Sequence, residues 1–285
     1  MKYSKYTSLI FTPNKVTPPY SAWIEHIPFA FFLIEILHPK IFVELGVHTG
    51  NSYNAFCQSV KSLQTNTKCY GVDTWQGDEH AGFYDKSVYD NLQVYQQHEY
   101  SAFSTLIKST FDEALECFSE GSVDLLHIDG FHTYEAVKHD FDNWLPKMSE
   151  QGVIIFHDTN VHANGFGVWK LWQEISPNYL SMEFKNCHGL GILVIGKKTE
   201  HDFIEFVKEE NNYSSYIFQI LGNSLSQQLD LKQSIKDLKS QQNDQIKLES
   251  INSELMAKNE SINSELKWIK NSKWWKFRSI VKKII

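Results

Sequence analysis

Cysteine is scarce in this sequence of 285 residues: four, at positions 57, 69, 117 and 187, with no CxxC pair and no regular spacing. That argues against a disulfide framework or a zinc ribbon and suits a reducing cytoplasm. Proline is absent after Pro177 and glycine after Gly222, so a compact region should give way to something without helix breakers near residues 200 to 222. Long apolar runs are missing too. The most apolar stretch, Ile27 to Leu37, is interrupted by Glu35 and falls far short of the roughly 20 residues that span a bilayer. The opening MKYSKYTSLIFTPNK has no apolar core followed by a small-residue cleavage site, which speaks against a secretory signal. Acidic residues stop at Glu265, and seven cations follow: Lys267, Lys270, Lys273, Lys276, Arg278, Lys282 and Lys283. The formal charge of −7 therefore hides a body of 20 basic against 34 acidic residues, which argues against nucleic-acid binding by that body.

What is present reads first as alternating strands and helices. Lys40 to Leu45, Cys69 to Asp73, Thr105 to Lys108, Val123 to Asp129 and Val153 to Asp158 are short apolar runs bounded by turn residues, each suited to a buried parallel strand. Between them, Val137, Phe141, Trp144 and Leu145 fall on one helical face, as do Val168, Leu171, Trp172 and Ile175. Repeated βα units imply an α/β, Rossmann-like, doubly wound and mostly parallel sheet with its ligand at the carboxyl ends of the strands. Met182 to Phe184 and Gly191 to Gly196, joined around the turn-prone NCHG, predict an antiparallel hairpin at the sheet edge. Past Gly222, ESINSEL occurs at 249 to 255 and again at 260 to 266, a period of 11 that suits a long helix of coiled-coil type. The reading divides the chain into 1–200, a connecting helix at 201–222, a helical segment at 223–271 and a basic amphipathic helix at 272–285.

The chemistry should sit at the strand ends. The first strand runs into Val43-Glu44-Leu45-Gly46-Val47-His48-Thr49-Gly50-Asn51, where Gly46 and Gly50 let the backbone turn tightly toward the next helix's amino end. A dinucleotide fingerprint begun at Gly46 needs glycines where His48 and Asn51 stand, and no GK[ST] follows, so NAD binding is disfavoured and a Walker loop is excluded. The next strand ends on Asp73, whose carboxylate suits a ribose; helix capping is the alternative. Two later strands each end on an aspartate, Asp129 and Asp158, which should converge over one cleft and favour a hard cation such as magnesium. Asp73 to Ser104 reads as a long aromatic connection able to act as a lid over a sugar.

The combination VELG…TG, GVDTW, IDGFHTYEAV and GVIIFHDT resembles the class I methyltransferases that use S-adenosylmethionine, in particular the family of catechol-type and macrolide-sugar O-methyltransferases. More narrowly it is similar to stand-alone methyltransferase domains linked to bacterial surface-polysaccharide synthesis. The resemblance covers roughly residues 25 to 197. It implies that Glu44, Gly46, Gly50 and Asp73 contact S-adenosylmethionine, that Ser109 lies near the adenine, and that Asp129 and Asp158 hold a divalent ion, Mg2+ in this reading. Two departures stand out: Thr159 replaces an amide or carboxylate after the second aspartate, and Phe131 replaces an aspartate base. His132, one residue on, is the natural replacement base, since imidazole titrates near neutrality. His157 reads as a packing residue. The expected activity is methylation of a sugar or glycan hydroxyl by a cytoplasmic enzyme. The competing readings are an oxidoreductase on a similar sheet and a non-catalytic scaffold for the helical tail. From Trp268 the tail is WIKNSKWWKFRSIVKKII, an amphipathic and basic end suited to the inner face of a membrane or to homo-oligomer contacts.

Overall fold

The computed structural model describes residues 6–18, 22–78, 82–209 and 212–271. In chain order the elements are α1 (Ile27–Leu37), β1 (Ile41–Leu45), α2 (Asn51–Leu63), β2 (Lys68–Asp73), β3 (Gly77–Asp78), β4 (Gly82–Phe83), α3 (Lys86–Tyr100), β5 (Ser104–Lys108), α4 (Phe111–Ala114), β6 (Val123–Ile128), α5 (Tyr134–Trp144), β7 (Met148–His157), α6 (Val168–Ile175), β8 (Leu180–Phe184), β9 (Leu190–Val194), α7 (His201–Lys208) and α8 (Asn212–Asn271). Seven of the strands form one sheet in the order β5-β2-β1-β6-β7-β9-β8, while β3 and β4 make a separate short ribbon. β5, β2, β1, β6 and β7 run parallel, and β9 and β8 close the edge antiparallel. The sheet is thus the expected Rossmann-like one, including its edge hairpin.

Strands β1, β6 and the second half of β7 are mostly apolar because both of their faces are covered. On one face Leu45, Leu126, Ile128, Ile154 and Phe156 pack with Val137, Phe141 and Trp144 of α5 and with the whole α6 stripe of Val168, Leu171, Trp172 and Ile175. Thr133 caps α5 by accepting from Ala136 N, and Leu145 falls in the 3-10 turn that follows it. On the other face Phe42 packs on Phe56 of α2 at 4.3 Å between centroids. Helix α1 is apolar all round and buried apart from Glu35, whose carboxylate accepts from Thr7 N and Ser8 N and so ties down the preceding segment.

Two stretches depart from the expected organisation. Asp73 to Ser104 is not one long loop but the β3–β4 ribbon followed by α3, capped by Asp85 through Ser87 N. The buried positions of α3 are Leu92, Gln96 and Tyr100, a four-residue spacing whose middle member is polar, so the stripe is masked in the sequence. Residues 201–222 are not a single connecting helix. They hold α7 and the start of α8, and Phe203, Phe206 and Phe218 bury both in the body beside Phe29 and Phe32. The compact body runs to Ser226, and Gln227 onward is a unit of its own. There α8 continues with Leu231, Leu238, Ile251, Leu255 and Ile262 exposed. The expected basic amphipathic helix at 272–285 lies outside the described residues, and no described helix is long and apolar enough to cross a membrane.

Asp140 sits on the inner side of α5, where burial pushes its carboxyl up to about 7. The unfolded chain gives up this proton near the usual carboxylate pKa of about 4, so stability falls as pH rises through the window from there to about 7 and then levels off. Asp140→Asn is expected to be more stable than the wild type at pH 8, by about 1–3 kcal/mol, with the gap closing toward pH ~4. Thermal melts at the two ends of that window check this; a gap independent of pH would contradict it.

Candidate active site

The strand order reverses between β1 and β6, the switch point at which a doubly wound sheet opens a crevice beyond its carboxyl ends. The two chain segments leaving that point touch. Asp129 N donates to Leu45 O at 2.9 Å, and a Cβ on Gly46 would stand 2.0 Å from Asp129 O. Gly46 also has φ +88°, so glycine is required there for space and for backbone conformation alike. A cavity of about 540 Å³ lies over the junction, within the range of small-molecule sites. Its walls bring together Gly46, Asp73, Asp129, His132 and Asp158 from the expected site. Gly50, Ser109 and Glu44 are not among the lining residues; Gly50 caps α2 at φ +83°, and Thr110 and Phe111 line the cavity where Ser109 was expected.

Asp73 acts on the glycine turn. One carboxylate oxygen accepts from Val47 N and His48 N, both at 2.9 Å, and the other from Trp75 N at 2.7 Å. A carboxylate has about four acceptor positions, so roughly one remains for a ligand hydroxyl.

Glu44 is wholly buried and does not line the cavity. It accepts from Ser52 Oγ at 2.8 Å and meets His127 Nδ1 at 3.0 Å, while Trp23 Nε1 donates to His127 Nε2 at 3.1 Å. An indole N–H can only donate, so Nε2 is the acceptor and Nδ1 carries the hydrogen given to Glu44. Burial raises the Glu44 carboxyl, and these two donors offset the cost of enclosing it. Its place is therefore supportive: it holds Ser52 and, through His127, Trp23, both of which line the cavity.

Asp129 and Asp158 do converge, and histidines surround them. His132 Nε2 is 2.9 Å from Asp158 Oδ2 and 3.8 Å from Asp129 Oδ1. His157 Nδ1 is 3.2 Å from Asp129 Oδ1 and 3.4 Å from Asp158 Oδ2, and His188 Nδ1 is 3.0 Å from Asp158 Oδ1. His157, which the sequence suggests as a packing residue, is thus an ionic partner of both aspartates. His188 and Trp23 carry no signal in the sequence beyond a turn and an aromatic. Asp158 takes φ 63°, a left-handed conformation uncommon outside glycine and typical of functional sites. Burial works against charge at His132 and His157, but hydrogen bonds and attraction from the aspartates prevail, raising them to about 9 and about 10. Burial likewise opposes charge on the aspartates, yet the imidazoles hold both well below the usual carboxylate range. His132 is therefore an imidazolium at neutral pH in this arrangement and becomes a base only after losing its proton. The ligand atoms of Asp129, His132 and Asp158 lie within 4.8 Å of one another, a donor set that fits a divalent cation with one nitrogen beside the two expected carboxylates.

Residues 43–159 match the methyltransferase domain family. The matched stretch runs from within β1 to just past the end of β7 and includes Gly46, Asp73, Asp129, His132 and Asp158 of the cavity wall. The chain is 44% identical over 211 residues to the uncharacterized protein y4gI of Sinorhizobium fredii (strain NBRC 101917 / NGR234), covering 72% of this chain and 23% of that protein. The chain thus spans about a quarter of the length of the curated relative it matches. Among solved structures it is similar to the O-methyltransferase TomG from Streptomyces achromogenes, involved in tomaymycin synthesis and solved with S-adenosylmethionine: 10% identity, TM-score 0.46, covering 64% of this chain and 82% of that one. A methyltransferase from Geobacter sulfurreducens compares at 9% identity and TM-score 0.45, covering 60% and 78%.

The Gly46 junction is directly testable. Gly46→Ala is expected to cost about 3 kcal/mol or more, combining left-handed strain with overpacking against Asp129 O. Gly82→Ala, at φ +81° with nothing within 4 Å of the added carbon, bears the strain alone and should cost about 1 kcal/mol. Urea denaturation of both variants checks the difference, and equal losses would refute the contact.

Proposed function

We propose that this chain is an S-adenosylmethionine-dependent O-methyltransferase acting on a sugar or glycan hydroxyl, in the setting of surface-polysaccharide synthesis. The observation that carries the reading is one cavity with two unlike walls: the Gly46 turn and Asp73 on one side, and the Asp129–His132–Asp158 cluster on the other. The first wall suits S-adenosylmethionine, with Asp73 offering its remaining acceptor position to a ribose hydroxyl and the amino end of α2 facing the amino-acid carboxylate. Bound there, the cofactor supplies an electrophilic sulfonium methyl. The second wall suits the acceptor: Phe131 and Phe166 offer apolar surface, and the carboxylates orient a hydroxyl in line with the methyl. In the metal-free site His132 takes the hydroxyl proton once its own has been lost, and Asp158 stabilises the imidazolium that forms. The match of residues 43–159 to a methyltransferase domain family supports this reading over an oxidoreductase or a scaffold.

Calorimetry with S-adenosylmethionine should give binding in the wild type and a loss of at most a few kcal/mol in Asp73→Ala. No binding to the folded protein would remove the proposal. With chelator present, kcat/KM should climb with pH toward about 9 as His132 loses its proton, whereas His132→Ala should give a low, flat profile.

For the segment from Trp268 onward, the composition supports a cytoplasmic enzyme resting on an anionic membrane face, with the exposed stripe of α8 available for homo-oligomer contacts. The full chain should float with anionic liposomes at low salt, and a chain ending at Asn271 should not. Equal behaviour of the two would sink the membrane assignment.

A further inference from the structure

The cluster in the acceptor wall is unusual for a magnesium site. Magnesium takes oxygen ligands in a near-ideal octahedron and keeps several waters. Here imidazole nitrogens stand beside the carboxylate oxygens. His132 Nε2 faces both carboxylates, at 2.9 Å from Asp158 Oδ2 and 3.8 Å from Asp129 Oδ1. His188 Nδ1 approaches the other Asp158 oxygen at 3.0 Å. Ligands about 2.1 Å from one ion lie about 3 Å apart when adjacent and about 4 Å when opposite, so the three donor atoms need only small shifts to share a cation. The amide or carboxylate that would add another oxygen after Asp158 is replaced by Thr159, whose hydroxyl is buried without a hydrogen-bond partner.

The imidazole is also held in place, as a ligand must be. The His132 ring stacks on Phe166, with centroids 4.5 Å apart and planes 14° from parallel, and its carbonyl accepts from Gly167 N at 2.7 Å. From the buried side, His157 contacts both aspartates through one nitrogen and keeps their carboxylates together. Nitrogen and oxygen in one donor set select borderline first-row transition cations, whereas an all-oxygen set suits magnesium.

We propose that Asp129, His132 and Asp158 form a mixed nitrogen–oxygen site that takes a divalent first-row transition cation in preference to magnesium. The proposal rests on the methyl-transfer reading only in placing that cation beside the acceptor oxygen. Its test does not use methyl transfer. Full-length protein stripped with chelator and checked for a native thermal transition is titrated with Co2+, following the visible d–d absorption, and then challenged with Zn2+ and with Mg2+. The expected result is a saturable cobalt spectrum at one equivalent, displaced by Zn2+ and retained under a hundredfold excess of Mg2+. His132→Asn, which exchanges the nitrogen for an amide oxygen, should lose about 10–100-fold in cobalt affinity and narrow the gap to Mg2+. Asp158→Asn should weaken all of these cations.

Displacement of cobalt by equimolar Mg2+, or unchanged cobalt affinity in a folded His132→Asn protein, would overturn the proposal. So would the absence of any cobalt spectrum in folded wild type. Calorimetry with S-adenosylmethionine on the same stripped sample keeps the two readings separate: lost cofactor binding with intact cobalt binding defeats the methyl-transfer reading alone.

Discussion

Two carboxylates that meet in a partly enclosed cavity cannot both stay ionised without positive charge beside them, and the arrangement around Asp129 and Asp158 answers that constraint. The answer needs the whole sheet. Parallel neighbours β6 and β7 bring their terminal aspartates side by side at one end. Because β9 runs antiparallel to β7, with His157 opposite Leu190, the β8–β9 turn comes back to that same end and delivers His188. The loop after β6 supplies His132, and the last residue of β7 supplies His157. A sheet with a parallel edge strand in place of β9 would send that turn to the opposite end and leave Asp158 with one partner fewer.

The same logic repeats one layer down. Glu44 and His127 are register partners on β1 and β6, so their side chains leave neighbouring strands on the same face and meet without solvent. Removing either alone would leave the other's buried polar group without that partner, at a cost of about 1–3 kcal/mol. What the pair holds is the floor of the cavity, through Ser52 on one side and Trp23 on the other. Two buried polar assemblies therefore meet at the switch point, one facing the ligand space and one supporting it.

Much of this was legible in the sequence, and the parts that were not share a cause. Strands β1, β6 and the second half of β7 show as mostly apolar runs, the edge hairpin shows through NCHG, and the paired aspartates show because each follows such a run. Helix α1 hides because an element buried on every side has no periodicity to read, and α3 hides because Gln96 takes a core position by bonding to Asn54 and Ser104. Glu44 has the right position in the motif, but its direction depends on the strand register, which joins residues 83 apart in sequence. His157 and His188 likewise gain meaning only from partners about 30 residues away. Local pattern reports elements; pairing between strands decides which polar side chains face one another.

The left-handed backbone at Asp158 has a consequence for how this site can drift. Glycine, asparagine and aspartate enter that conformation most readily, because larger side chains crowd the neighbouring carbonyl. Most single changes at the position therefore disturb the path of the chain between β7 and the loop beyond it as well as the charge. Asparagine alone removes the charge while keeping both the shape and a polar tip. Descendants of this sequence thus have one narrow route by which to lose the anion and keep the architecture, and a lineage that took it would preserve the cavity while changing what the cavity attracts.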